Sequence, residues 1–181
     1  MREIGLIAAN YVLFLFLTIA LSAAQSSLWF HVFGSSPAPY LWLIVGCYWV
    51  LTRNFVEATV MVYLTTFIFV TMSGLPLNLA FIVNISVYLV IFALKDRVLW
   101  SGNFSFMLAS AISAGILPIF VFLYSFLLAD RALNDFLFFE WIIRSLLTAI
   151  ASIPLYYLFS FIDKITLSKA TPGAELTDEH F

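Results

Sequence analysis

Three features of this sequence predict an all-α polytopic membrane protein with six transmembrane helices and both termini in the cytoplasm. The first is composition: 64% of the 181 residues are hydrophobic, 10% are charged and the mean hydropathy is +1.06. Soluble domains carry about a quarter charged residues, so a soluble globule is excluded. The second is the placement of charge, which leaves the intervals 4–52, 58–94, 98–129 and 145–162 with none. The third is an asymmetry in the basic residues, set out below.

At about 20 residues per spanning helix the chain has room for five to seven spans and no sizeable extramembrane domain. The first interval is too long for one helix and is broken by Gly34-Ser-Ser-Pro-Ala-Pro39; the second is broken by Ser73-Gly-Leu-Pro76. Six spans follow, near residues 4–24, 39–53, 56–72, 77–95, 104–129 and 137–162. Together they make residues 1–164 one six-helix domain, and 165–181 a polar cytoplasmic tail whose composition predicts no fixed structure of its own.

Element by element, the first span starts from MREIG, which is not net basic. Its small residues at Ala20 to Ala24 resemble a signal-peptidase site, but the apolar run before them exceeds a signal core, so the segment is read as a retained span. The outer segment Gln25 to Ala38 keeps aromatic character at Trp29, Phe30 and Phe33, as membrane interfaces do. His31 beside them has no second ligand nearby, which favours a surface contact over a metal site. The second span has about 15 residues, roughly 22 Å of helix, and must sit in thinned bilayer, be re-entrant or begin earlier. Polar residues enter the third (Thr59, Thr65, Thr66, Thr71) and the fourth (Asn78, Asn84, Ser86). They line either a ligand or lipid cavity or an ordinary set of interhelical hydrogen bonds.

The fifth span holds small residues four apart, Ala111 with Gly115 and Ser110 with Ala114, a spacing that lets two helix backbones approach closely. Pro118 follows and predicts a bend, because it cannot donate to the carbonyl of Ala114. The last stretch alone carries opposite charges inside an apolar run. Glu140 and Arg144 lie four apart on one helix face, in the favourable order. Ionised groups at this depth cost about 2.5–3.5 kcal/mol each on insertion scales, so the pair either faces a partner or snorkels to the surface. Pro154 removes a further backbone donor, and Asp163 with Lys164 marks the return to water.

Orientation comes from the basic residues. With the amino terminus inside, Arg2, Arg53, Lys95, Arg97, Lys164 and Lys169 fall on the cytoplasmic side and Arg131 alone falls outside, Arg144 being within a span. A net charge of −2 with dispersed basic residues argues against nucleic acid as a partner. The single cysteine, Cys47, allows neither an internal disulfide nor a thiolate metal site. Catalytic sets are lacking: no carboxylate pair within a span, no Ser/His/Asp grouping, no zinc spacing and no phosphate-binding glycine loop. The expectation is a protein that is not an enzyme and carries no cofactor or metal.

Three stretches resemble a known family. IIRSLLTAIASIPLYYLFSFIDK in the last span resembles the closing helix of the bacterial rod shape-determining MreD family. PAPYLWLIVGCYWVL is similar to that family's segment after the first outer loop, and TFIFVTMSGLPLNLAFIVNISVYLV to its third and fourth spans with the turn between them. One departure stands out: the family usually has an Asp near the end of the third span, and Val70 to Met72 holds none. The resemblance implies a non-enzymatic inner-membrane part of the cell-elongation machinery. It would bind an MreC-like scaffold and be linked to a glycan polymerase and transpeptidase complex and to an MreB-like filament. Glu140, Arg144, Asn84, Ala111 and Gly115 are the candidate partner-binding residues. The family's likeness to the substrate-binding subunits of energy-coupling-factor transporters supplies the alternative, uptake of a vitamin or metabolite.

Overall fold

The computed structural model describes residues 2–95, 102–129 and 138–167. Arg97, Arg131, Lys169 and the tail from residue 168 onward lie outside them, so the orientation argument and the tail assignment keep only part of their residues. Every regular element among the described residues is helical: α1 (Arg2–Ala23), a π-helical turn (Ala24–Leu28), α2 (Trp29–Phe33), α3 (Leu41–Thr52), α4 (Phe55–Ser73), α5 (Leu77–Lys95), α6 (Gly102–Ala129) and α7 (Phe138–Leu167). Five stretches are long and apolar enough to cross a membrane, namely Ile7–Phe33, Phe55–Ser73, Leu77–Lys95, Gly102–Leu127 and Phe139–Thr166. The chain is a multi-pass membrane protein.

Two boundaries differ from the sequence reading. The first helix does not stop at residue 24 but runs through the π turn and α2 to Phe33, because no breaker occurs before Gly34. Its outer end carries Phe30, Val32 and Phe33 exposed, while Trp29 folds back to donate its indole N–H to the Ser36 carbonyl at 3.1 Å. At the other extreme, α7 continues past Lys164 to Leu167, so residues 165–167 are helix rather than tail. The turn expected at Ser73 to Pro76 is present, with Gly74 at φ +67 where a side chain would be strained.

The short second element proves to be the centre of the molecule. α3 has 12 residues, about 18 Å of helix against a hydrocarbon layer of roughly 30 Å. All nine residues from Trp42 to Val50 are buried, and α1, α4, α5, α6 and α7 surround it. Being apolar on every side, it belongs inside a helix bundle rather than at its lipid face. Around it the aromatic rings interlock: Trp42 stacks on Phe69 at 4.0 Å, Trp49 meets Tyr11 at 4.7 Å and Phe14 at 5.4 Å, and Tyr48 meets Phe159 at 5.1 Å. Lipid tails are as apolar as these side chains, so hydrophobic transfer does little to hold them together in a bilayer and shape does more. Each ring pair contributes about 0.5–1.5 kcal/mol beyond area.

Gly46 on α3 lies directly against the Tyr88 side chain of α5. A Cβ there would lie 2.0 Å from the Tyr88 hydroxyl, which itself donates to the Leu43 carbonyl at 3.2 Å. Tyr88 is buried, with a cavity of about 100 Å³ on its α4 side, so an added methyl group would push its ring that way and break its bond to Leu43. At Gly115 on α6, by contrast, the nearest atom to an added Cβ is Ser145 Oγ at 3.8 Å, an ordinary contact. Gly46→Ala is therefore expected to cost about 1–3 kcal/mol and Gly115→Ala close to nothing. Thermal midpoints of the two variants in one detergent check this; equal midpoints would deny the close packing at Gly46.

Candidate functional site

Polar side chains gather at the two ends of the bundle, in a tight ionic cluster at one and around a cavity at the other. At the first end Asp163, half-buried on α7, accepts from three side chains, on α1, on α3 and on Arg53 just past the end of α3. Asn10 Nδ2 of α1 donates to Oδ1 at 2.9 Å, Tyr48 Oη of α3 to Oδ2 at 2.8 Å, and Arg53 Nη2 to Oδ1 at 2.6 Å. Asn10, fully buried, also reaches Thr166 Oγ1 at 2.7 Å. The Arg53 guanidinium lies over the Trp49 ring, 5.2 Å from its centre. Lys95 at the end of α5 donates to the carbonyls of Val50 and Arg53 at 3.0 and 3.1 Å, which covers the last turn of α3. Asp163 is thus no simple marker of return to water. Its side chain is 15% exposed, and it ties α1, α3 and α7 together.

At the other end, residues that the sequence singled out separately converge. Asn84 from α5, Pro118 from α6 and Arg144 from α7 share the wall of a cavity of about 230 Å³, closed by Gln25, Tyr40 and Phe69 among others. Arg144 sits 3.6 Å from Glu140, longer than the 2.7–2.9 Å of a charge-assisted hydrogen bond, and both side chains remain over a third exposed. Its guanidinium also faces the Tyr40 ring at 5.8 Å. Asn84 is 1% exposed, and its Oδ1 has no hydrogen-bond partner among the described residues. A buried acceptor left in that state costs about 1–3 kcal/mol.

A second cavity of about 120 Å³ shares Gln25 and Phe69 with the first. Ser22 and Trp42 belong to its lining, and Ser22 Oγ and Trp42 Nε1 are themselves buried and likewise unpartnered among the described residues. Gln25 is not free to satisfy them with its carbonyl, because Oε1 accepts the Leu41 N–H at 2.9 Å. Together with Tyr40 N–H, which donates to Thr148 Oγ1 at 3.0 Å, this bond covers the first turn of α3.

The other candidate residues fall into plainer roles. Gly115 lies in the α6–α7 contact, where its carbonyl accepts the Trp141 indole N–H at 2.8 Å; Ala111 is one turn earlier on α6, half-buried. Pro154 is exposed on α7, about 15 Å along the helix from Arg144. Thr59, Thr65, Thr66 and Thr71 donate to carbonyls of their own helix and form no seam to another, whereas Ser86 pairs with Tyr124 Oη across α5 and α6 at 3.0 Å. His31 Nδ1 lies 2.8 Å from the Ser27 carbonyl, one turn back. No group of three His, Cys, Asp or Glu side chains among the described residues is placed to hold a metal.

Comparison with protein-family models, curated proteins and solved structures finds no match. The geometry therefore stands alone as a guide to the site. At the Asp163 end both carboxylate oxygens are already engaged in holding helices together. At the other end a partly exposed guanidinium stands on the wall of a partly open cavity.

Residues missed in the sequence, Asn10, Tyr48 and Arg53, surround one carboxylate whose signal was Asp163 lying on the face of a continuing helix. Removing either charge of the Arg53–Asp163 pair is expected to cost about 2–4 kcal/mol, because the other is left half-buried and unpaired. In the double variant Arg53→Met with Asp163→Leu the loss should fall well short of the sum. Thermal unfolding of the four proteins in detergent gives the cycle; simple additivity would mean that the pair does not act as a unit.

Proposed function

We propose that this chain is a non-enzymatic inner-membrane component of the bacterial cell-elongation machinery, resembling the MreD family and holding an MreC-like single-span partner. It crosses the bilayer six times, with α3 as the short second crossing and both termini in the cytoplasm. The observation that carries this reading is the recurrence of three family-like stretches in order along one chain, the last of them containing Arg144. Arg53 and Lys95 lie at the Asp163 end of the bundle, in keeping with a cytoplasmic, positively charged face there. Arg144 at the other end retains exposure, with a long contact to Glu140 and the Tyr40 ring beside it, and its five donors leave some for a partner helix or its flanking segment. Through that partner the chain would be linked to glycan polymerase and transpeptidase activity and to an MreB-like filament.

The cavity beside Asn84 favours a second reading, a substrate-binding subunit of an energy-coupling-factor-type vitamin or metabolite transporter. Its volume of about 230 Å³ lies below the roughly 300–1,000 Å³ of pockets that take drug-sized ligands, which weighs against a vitamin-sized occupant.

Depletion of the chain in rod-shaped cells should round them, and microscopy reads this directly; cells that keep their shape would remove the elongation reading. Arg144→Leu is expected to reduce recovery of a co-purifying single-span partner severalfold while membrane insertion is unchanged. Accessibility labelling should place Lys95 and Lys169 on one face, and opposite faces would overturn the topology.

A further inference from the structure

We infer that the end of the bundle away from Asp163 holds a water-filled vestibule, walled by the outer helices and floored by the start of α3, through which Arg144 is reached from water rather than from lipid. This goes beyond the elongation reading and does not rest on it. The arrangement follows from helix lengths. α1 touches α4, α4 touches α5, α5 touches α6, α6 touches α7 and α7 touches α1, so a closed ring surrounds the short central helix. Gln25 Oε1 accepts the Leu41 N–H, which puts Gln25 level with the start of α3, and the first helix runs on to Phe33, about 12 Å further. On the other side α7 begins at Phe138, about 15 Å beyond Thr148, whose hydroxyl meets the Tyr40 N–H. α3 thus stops well short of the ring around it. The space above it is the cavity of about 230 Å³ whose wall holds Gln25, Tyr40, Asn84 and Arg144.

Two further observations say what fills it. From Phe33 the chain descends to Leu41 through Gly34-Ser-Ser-Pro-Ala-Pro39 and Tyr40 without helix. Non-helical backbone at membrane depth is stable only inside protein or beside a water-filled cavity, and Tyr40 at the foot of this segment stands on the cavity wall. Arg144 is the second. Its side chain is 35% exposed, and at 3.6 Å from Glu140 it lacks the close ion pair that would replace hydration. Hydrocarbon does not solvate a guanidinium, which is why ionised groups within spans face a polar interior or water. The cavity has room for several water molecules, whereas an acyl chain in the same space would leave Arg144 against hydrocarbon. A cavity of the other kind lies between α4 and α5, where Val62, Leu89 and Phe92 line about 100 Å³ with no charged side chain. Below the vestibule the path is closed, because Trp42 to Val50 are buried along α3 and the Asp163 cluster ties the far end. Water therefore enters from one face alone.

The test is thiol labelling of the full chain in phosphatidylcholine vesicles, with a charged, membrane-impermeant methanethiosulfonate present on both sides of the membrane. Such a reagent needs a thiolate, which forms in water and not in lipid. The unaltered chain supplies the background, because Cys47 is fully buried. Ala80 on α5 and Val121 on α6 line the vestibule, whereas Ile82 and Leu123, beside them on the same helices, are exposed large apolar residues outside its lining. Ala80→Cys and Val121→Cys should react at least tenfold faster than Ile82→Cys and Leu123→Cys, the reverse of the order that exposure alone predicts. Rates are compared on variants that keep the thermal midpoint of the unaltered chain. A rate at either vestibule position that is equal to or slower than that of its neighbour, or no reaction there, overturns the assignment and means that lipid or protein fills the space.

Discussion

The backbone ends of α3 set the terms for the rest of this structure. A 12-residue helix surrounded by five others leaves its first N–H groups and last carbonyls to be satisfied by the protein rather than by its own turns, and each such group left buried and unsatisfied is costly. They are covered by side chains from elements distant in sequence: Gln25 and Thr148 at the start, Lys95 at the finish. Those three residues come from the extension of α1, from α7 and from α5. The bundle is thereby obliged to keep three helices in register with the central one, and the run of α1 into α2 without a break becomes necessary rather than incidental, since it places Gln25 beside Leu41.

Between these caps the packing is aromatic and tight, and it leaves little choice of side chain at Gly46, where the α3 backbone meets the Tyr88 hydroxyl. Because hydrophobic transfer does not drive helices together in lipid, specificity has to come from such fits and from polar bonds. The Asp163 cluster supplies the polar part at one end. It joins α1, α3 and α7 through a single carboxylate that accepts from an amide, a phenol and a guanidinium. Neutral, short-range and complete, it is a device for holding.

How much of this was legible follows from which signals are local. Apolar runs, turn residues and the short length of the second element are properties of contiguous sequence, so the helices and the oddity of α3 were visible. Arg144, Asn84 and Pro118 were visible too, each as a residue out of place in its own run. That they meet around one cavity was not, since nothing in the spacing of residues 84, 118 and 144 relates three different helices. Asp163 misled because Lys164 follows it, which is how a membrane segment usually ends; the helix instead continues, and only the lysine side of it is exposed. The first span, ended at residue 24, falls short for a related reason: Gln25 to Ala38 reads as an outer segment at the interface, whereas its first residues continue the helix and the Gln25 amide caps another one.

The two ends of the bundle are held differently. Asn10, Asp163, Arg53 and Lys95 close a polar cluster at one end, while the buried atoms without a partner among the described residues are spread along the bundle, on Ser22, Trp42, Trp49, Asn84 and Ser110. Departures from polar satisfaction in natural proteins concentrate at functional sites, where a bound group completes what the chain leaves undone. Here Asn84 lies on the cavity wall that also holds Gln25, Tyr40 and Arg144, whereas Trp49 lies under Arg53 at the opposite end. Gln25 and Tyr40 also hold the start of α3, so a shift of that wall is carried directly to the central helix.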